Sequence, residues 1–244
     1  MTNVKTGLPF PDKKAENLNP KLFLLFGKPK TGKTTIVSQL DHSLLIELEP
    51  GGADFISGSV VQVDSLNKLR EVGVKIKEYG KPYKYVVIDT VTKLEDLVLP
   101  YAAQLYKQTP MGKNWTGKDV KILPKGAGYY YLRKAFFAVI DEIQTWAENV
   151  VLIGHLKDNL IEKEGEEFTS KEIDLTGKIK GLLSAQSDAI AYFYRKGPEG
   201  FLNFEPSEDV TAGCRSPHLE GKTIKVSEKT DDGVKVSWKE IYKF

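Results

Sequence analysis

An α/β fold, with a mostly parallel central sheet, helices on both faces and antiparallel strands toward the C-terminus, is indicated by three features of this 244-residue chain. Short β-branched runs alternate with helical stretches through its first two thirds, the order of strand–helix–strand units. A glycine loop joins the first such strand directly to a helix. Past residue 188 the helical spacing gives way to strand pairs separated by tight-turn signals.

Taken in order, residues 1–20 are polar and carry Pro9, Pro11 and Pro20, so an N-terminal arm is expected ahead of a single domain spanning 21–244. Leu22 to Phe26 is the first strand, and Ile36 to Leu40 continues the helix that the glycine loop opens. Ser43 to Glu49 is an apolar strand ending in acid, stopped by Pro50-Gly51-Gly52, and Val60 to Val63 is another strand. Leu66, Leu69, Val72 and Ile76 have the spacing of one helical face. Tyr85 to Thr90 is a β-branched run closing on Asp89, and Thr92 to Lys107 reads as a helix kinked at Pro100. Gln108 to Gly128 is rich in glycine and proline and reads as a long loop or partly ordered insertion. Tyr129 to Asn149 is the strongest helix, with Leu132, Phe136, Val139, Ile140, Ile143 and Trp146 in one stripe. A buried strand at Val150 to His155, a hairpin or loop at Asp158 to Leu175 and a helix at Lys178 to Ser187 follow. Asp188 to Arg195 pairs with Phe201 to Glu205, and Thr223 to Ser227 with Val234 to Ile241 across Asp231-Asp232-Gly233.

Composition narrows the class. With 41% hydrophobic and 28% charged residues, the chain supports one well-cored domain and is short for two. A net charge of +2 does not by itself announce a nucleic-acid partner. Cys214 is the only cysteine, which excludes an intrachain disulfide and a cysteine metal cluster and suits a reducing compartment. No apolar stretch approaches membrane-span length and Met1 to Lys5 has no signal-peptide character, so a soluble cytoplasmic protein without a membrane partner is expected.

The chemistry begins at the loop Gly27-Lys28-Pro29-Lys30-Thr31-Gly32-Lys33-Thr34-Thr35, which carries G-x-x-x-x-G-K-T between a strand and a helix. In that context backbone N–H groups turn inward on a polyphosphate at the positive end of a helix, Lys33 reaches the β- and γ-phosphates, and the Thr34 hydroxyl holds Mg²⁺. ATP and Mg²⁺ are the expected cofactors. Asp89, delivered by an apolar strand, suits the metal side of the site, although an aspartate before a helix also serves as a cap. A carboxylate is also needed to orient the attacking water and take its proton. Glu49 stands at its strand's end, but Glu47 shares its face and spacing alone does not decide between them. His155 ends a neighbouring strand, where it either senses the γ-phosphate or is a structural histidine.

These segments, in this order and spacing, resemble the ATPase core of the RecA-like P-loop NTPases, in particular small phage-encoded nucleotide-binding proteins linked to single-strand annealing and recombination. The likeness runs from about Lys21 to Glu205. It implies Glu49 as the water-activating residue and His155 as a polar sensor of nucleotide state. It also implies a phage protein acting in a bacterial host, self-association into a ring or filament, and ATP held between neighbours with a basic residue supplied in trans. Arg215, beyond the strand pair of Asp188 to Glu205, is the candidate for that cation, with Lys196 and Lys222 behind it. A single-strand-binding protein is a further partner of such a system.

Single-stranded DNA is the expected polymer. Lys107, Lys113, Lys118, Lys121, Lys125, Arg133 and Lys134 are opposed in their stretch only by Asp119, with Trp115 and Tyr129 to Tyr131 interleaved. Cations that follow phosphates and aromatics that stack on bases hold single strands without sequence preference. Lys113, Trp115, Lys118, Lys121 and Lys125 are the candidate contacts. The Asp158 to Leu175 stretch stands where the family has its second DNA loop, yet Glu162, Glu164, Glu166, Glu167 and Glu172 make it acidic. Two alternatives to a DNA-stimulated ATPase remain: a nucleoside or nucleotide phosphotransferase, which four scattered arginines argue against, and an ATP-gated scaffold or loader without turnover. A GTP switch is disfavoured because Asn67-Lys68-Leu69-Arg70 is the nearest string to a guanine-reading Asn-Lys-x-Asp.

Overall fold

The computed structural model describes residues 18–163 and 166–243, and leaves the side chains of 160–168 undescribed. The expected arm up to residue 17, Glu164, and the side chains of Glu162, Glu166 and Glu167 therefore lie outside the described residues. The elements run β1 (Leu22–Gly27), α1 (Lys33–Val37), β2 (Ser43–Glu47), β3 (Ser59–Gln62), α2 (Leu66–Glu78), β4 (Tyr85–Asp89), α3 (Val91–Leu97) and α4 (Leu99–Lys107). Then come α5 (Gly128–Ile143), β5 (Asn149–Lys163), β6 (Glu166–Ile173), α6 (Gly177–Gln186), β7 (Ala189–Lys196), β8 (Glu199–Asn203), β9 (Gly213–Cys214), β10 (Thr223–Thr230) and β11 (Gly233–Val236). The sheet order is β11-β10-β8-β7-β1-β5-β4-β2-β3, parallel from β7 to β3 and antiparallel from β7 to β11. The expected fold class is the observed one.

All six residues of β1 are buried because both faces of the central sheet are covered, which is why this strand reads as a continuous apolar run. Leu22, Leu24 and Phe26 pack with residues of α2 to α6, while Phe23 and Leu25 pack with Ile36 and Val37 of α1 and with Trp238, Ile241 and Tyr242 near the C-terminus. The two helical layers thus belong to alternate residues of the same strands.

Four elements depart from the sequence pattern for local reasons. The helix expected at 92–107 is two helices meeting at Val98, with Pro100 in the first turn of the second, where its missing N–H costs no hydrogen bond. The 108–127 segment is ordered: it makes two 3₁₀ turns and buries Val120 and Leu123 under α5. Gly128 permits this, since a Cβ there would lie 1.6 Å from the Val120 carbonyl oxygen. That helix ends at Ile143, and Trp146 reaches the core from the turn beyond it. Finally, β5 does not stop at His155 but continues into a hairpin with β6, paired from Leu156↔Ile173 to Lys163↔Glu166.

The C-terminal segment matters for the site because it braces α1, a helix of only five residues. Trp238 Nε1 donates to the Ile36 carbonyl at 2.9 Å, and its ring meets Phe23 edge-on at 6.5 Å. Tyr242, fully buried beside it, packs against Tyr85 at 4.8 Å. So short a helix has little stability of its own and depends on such packing. Trp238→Ala is therefore expected to cost about 3–5 kcal/mol in urea-induced unfolding, the range for removing a buried large aromatic.

Candidate functional site

The glycine loop leaves β1 at Gly27 and enters α1 at Lys33. Its last turn requires Gly32, whose φ of 100° lies in the left-handed region. Thr31 Oγ1 donates to the Lys28 carbonyl at 2.8 Å and closes the loop on itself. Lys33 is buried, and its Nζ donates to the carbonyls of Gly27 and Lys28 at 2.9 and 2.8 Å. Burial pushes its pKa down, while the charges of Asp89 and Glu49 pull it back up.

Across the carboxyl edge of the sheet, register sets the remaining groups. Glu47 of β2 lies beside Asp89 of β4, Asp89 beside Ile153 of β5, and His155 beside Gly27. Thr34 Oγ1 donates to Asp89 Oδ2 at 2.7 Å, joining the loop to a strand that β5 separates from β1. Burial raises the Asp89 pKa, against the opposing effects of the Thr34 hydrogen bond and the Lys33 charge. The capping role open to Asp89 belongs instead to Thr90, whose Oγ1 accepts from Lys93 N at 3.1 Å at the start of α3. The same Thr90 hydroxyl donates to Glu49 Oε1 at 2.6 Å. His155 Nε2 sits 3.0 and 3.2 Å from the two Glu49 oxygens, so the carboxylate is held between β4 and β5. Glu47 does something else: it is buried, and its Oε1 accepts Ala53 N–H at 2.6 Å, rooting the loop after β2.

Lys33, Thr34, Glu47, Glu49, Asp89, Thr90 and His155 line one cleft of about 520 Å³, together with Pro29, Lys30 and Thr35 of the loop. Phe55, 93% exposed, stands at its rim. Neither Thr90 nor Phe55 is among the residues expected from sequence. The Asp-Thr pair at a helix start is a usable signal for the first, whereas a lone phenylalanine in a glycine-rich loop gives none.

Other candidates fall elsewhere. Arg215 pairs with Asp188 at 3.2 Å and donates to the carbonyls of Ala185 and Gln186. Asp188 also accepts the N–H groups of Lys21 and Leu22, so Arg215 lies at the amino end of β1, opposite its own phosphate loop. The cause is topological: β9 runs antiparallel to β7 and carries the chain back to the start of that strand. Arg195, at the other end of β7, is the arginine beside the loop, with Nη1 3.7 Å from where a Cβ on Gly32 would lie. Lys196 sits over the Tyr194 ring, and Lys222 Nζ donates to the His218 carbonyl.

Of the expected DNA contacts, Lys113, Lys118 and Lys125 are exposed and Lys121 is half-buried. Trp115 is not an open stacking surface. It meets Tyr106 of α4 edge-on at 5.3 Å, lies under Lys107 at 5.6 Å and packs against the main core. Tyr129 and Tyr130 are exposed instead, with Arg133 over the Tyr130 ring at 5.7 Å. They line a second cleft of about 550 Å³ with Gly126, Arg133 and the first turn of α6 from Thr176 to Ile179. Among the described residues no helix is long and apolar enough to cross a membrane.

Comparison with known proteins gives the following. The chain matches no curated protein. It is similar to the crystal structure of the RadB recombinase, at 13% identity over 91% of this chain and 93% of that one, with a TM-score of 0.48. It is also similar to a KaiC-like protein from the hyperthermophilic archaeon Pyrococcus horikoshii, at 13% identity over 89% of each chain and a TM-score of 0.48. Residues 19–216 match the model of the AAA domain family, a span that takes in every residue lining the phosphate-loop cleft. The chain belongs to the AAA domain family, and its glycine loop is that of a P-loop NTPase.

Proposed function

We propose that this protein is a RecA-like ATPase that binds single-stranded DNA and acts in phage-type recombination or annealing. The observation that carries the ATPase reading is the joining of Thr34 to Asp89 at 2.7 Å beside a Glu49 carboxylate held by Thr90 and His155. The Thr34 hydroxyl and Asp89 carboxylate are hard oxygen donors of the kind Mg²⁺ takes, and one protein carboxylate plus a hydroxyl suits a metal that shares its sphere with phosphates and water. Thr34 and Asp89 would hold Mg²⁺, which would supply charge neutralisation for the phosphates. Lys33 and the loop N–H groups hold the phosphates, Glu49 orients the water and accepts its proton, and His155 keeps Glu49 aimed. Phe55 offers a ring face at the rim for the base.

Support for DNA comes from the second cleft. It combines two exposed tyrosines, Arg133, Lys178 and the N-terminal turn of α6, with Lys125 next to its lining. Aromatic faces for bases and cations for phosphates suit a single strand better than a rigid duplex. Lys113, Lys118 and Lys121 extend the positive charge along the same connection. Ring or filament assembly would bring Lys196 or Arg215 of one copy to the nucleotide of another.

Five variants test this reading. Lys33→Ala abolishes ATP binding, whereas Glu49→Gln keeps binding and lowers kcat by about 10²-fold or more, the scale of general-base catalysis; hydrolysis by Glu49→Gln at the wild-type rate would sink the assignment. Because burial holds the Asp89 pKa above its unfolded value, the native state binds the extra proton and stability falls as pH rises past about 4. Nucleotide-free Asp89→Asn should therefore melt above wild type at neutral pH, lose that advantage below about pH 4, and show no hydrolysis. Replacing Tyr129 and Tyr130 with Ala should weaken single-strand affinity by about 1–3 kcal/mol for each base left unstacked. Removing the charge of Lys113, Lys118, Lys121 and Lys125 should flatten the salt dependence by about 0.7 for each phosphate no longer neutralised.

A further inference from the structure

Glu47 has no part in the scheme above, yet it is the most deeply buried carboxylate of the cleft, at 3% exposure against 7% for Asp89. It ends β2 in register with Asp89 of the parallel β4, and register partners in parallel strands point to the same face of a sheet. That face is the one α1 covers, because Leu45 and Val87, two residues earlier on each strand, share a core cluster with Ile36 and Val37. Glu47 and Asp89 are therefore neighbours on the side of the sheet where Thr34 lies. Glu49 belongs to a layer above, tied to Thr90 and His155.

The Glu47 carboxylate is only half satisfied. Oε1 accepts the Ala53 N–H, but Oε2 is buried and meets no donor among the described residues. Buried carboxylate oxygens are nearly always paired, because an unpaired one loses hydration without compensation. Pinning the loop at Ala53 uses one oxygen and needs no charge; a glutamine would serve. A second oxygen without a donor, on the wall of a cleft where Asp89 beside it only accepts and the Thr34 hydroxyl already donates to Asp89, calls for a cationic or water-borne donor. Mg²⁺ gives up its water reluctantly and keeps several molecules of it, each with O–H groups polarised by the ion.

We propose that Glu47 is a third residue of the metal site, accepting through its free oxygen a hydrogen bond from water carried by the nucleotide's Mg²⁺. The inference rests on the ATPase reading above. It divides the two glutamates of β2 and its continuation by layer, Glu47 serving the metal and Glu49 the attacking water. Glu47 is thus a positioning residue, acting on the ion through its water.

The test is metal binding without turnover. Mn²⁺ is titrated into the protein–ADP complex and followed by electron paramagnetic resonance, for wild type, Glu47→Gln and Asp89→Asn. Glu47→Gln should bind Mn²⁺ about tenfold or more weakly, the usual cost of losing an outer partner, while ADP affinity measured in EDTA stays within about twofold. Mn²⁺ affinity within about twofold of wild type would overturn the inference. So would a parallel loss of metal-free ADP affinity and thermal stability with no change in metal binding, which marks a loop clamp only. Should Glu47→Gln fail to fold, Glu47→Asp, which keeps the charge but withdraws it by one methylene, must still weaken Mn²⁺ binding. A wild-type complex that binds Mn²⁺ no better than free ADP overturns the ATPase metal site itself, a failure distinct from a Glu47→Gln that simply matches wild type.

Discussion

The 2.7 Å hydrogen bond from Thr34 to Asp89 is the contact on which the cleft depends. It spans from the first turn of α1 to the end of β4, although β5 separates β4 from β1 in the sheet. The bond is possible only because α1 lies flat on the face toward which Asp89 points. Every feature that keeps α1 there therefore bears on the site: the packing of Ile36 and Val37, and the indole of Trp238 on the Ile36 carbonyl. A five-residue helix would not hold that position unaided.

Burial makes the site electrostatically costly and for the same reason useful. Asp89 is held where its charge is disfavoured, and Lys33 where its own charge is disfavoured, so each is short of compensation. A polyanion with a divalent cation would meet both needs at once, with phosphate oxygens beside the lysine and the cation beside the carboxylate. Sites organised ahead of their ligand lose little to rearrangement when it arrives.

The Glu49–His155 contact adds a mechanical link. His155 is the last residue of β5 in register with β1, and the strand continues from it into the β5–β6 hairpin. Its carbonyl accepts from Asp174 N at 2.9 Å, so both arms of the hairpin root meet at the residue that positions Glu49. From Asp174 the chain passes at once to the first turn of α6, one wall of the tyrosine-lined cleft. The two clefts are joined by a few residues of ordered backbone.

Much of this was legible without coordinates. G-x-x-x-x-G-K-T between an apolar strand and a helix, and the β-branched run into Asp89, are local patterns whose spacing alone implies a phosphate loop and a strand-end carboxylate. Strand and helix order implied the parallel sheet. What tertiary structure decided were matters of which side and which end. Trp115 and Tyr129 look alike in sequence, yet one packs on Tyr106 and the other is open, on a connection that Gly128 lets close with Val120 against the start of α5. Arg215 lies far along the chain from Lys21 but beside it in space, since an antiparallel return through β9 ends at the sheet's amino edge. Glu47 and Glu49 share a strand face in sequence, and only the register of β2 against β4, with Thr90 and His155 crossing above, gives them different partners. Local chemistry is written in spacing; the identity of a neighbour is set by pairings between distant segments, whose energies depend on packing that no short window of sequence contains.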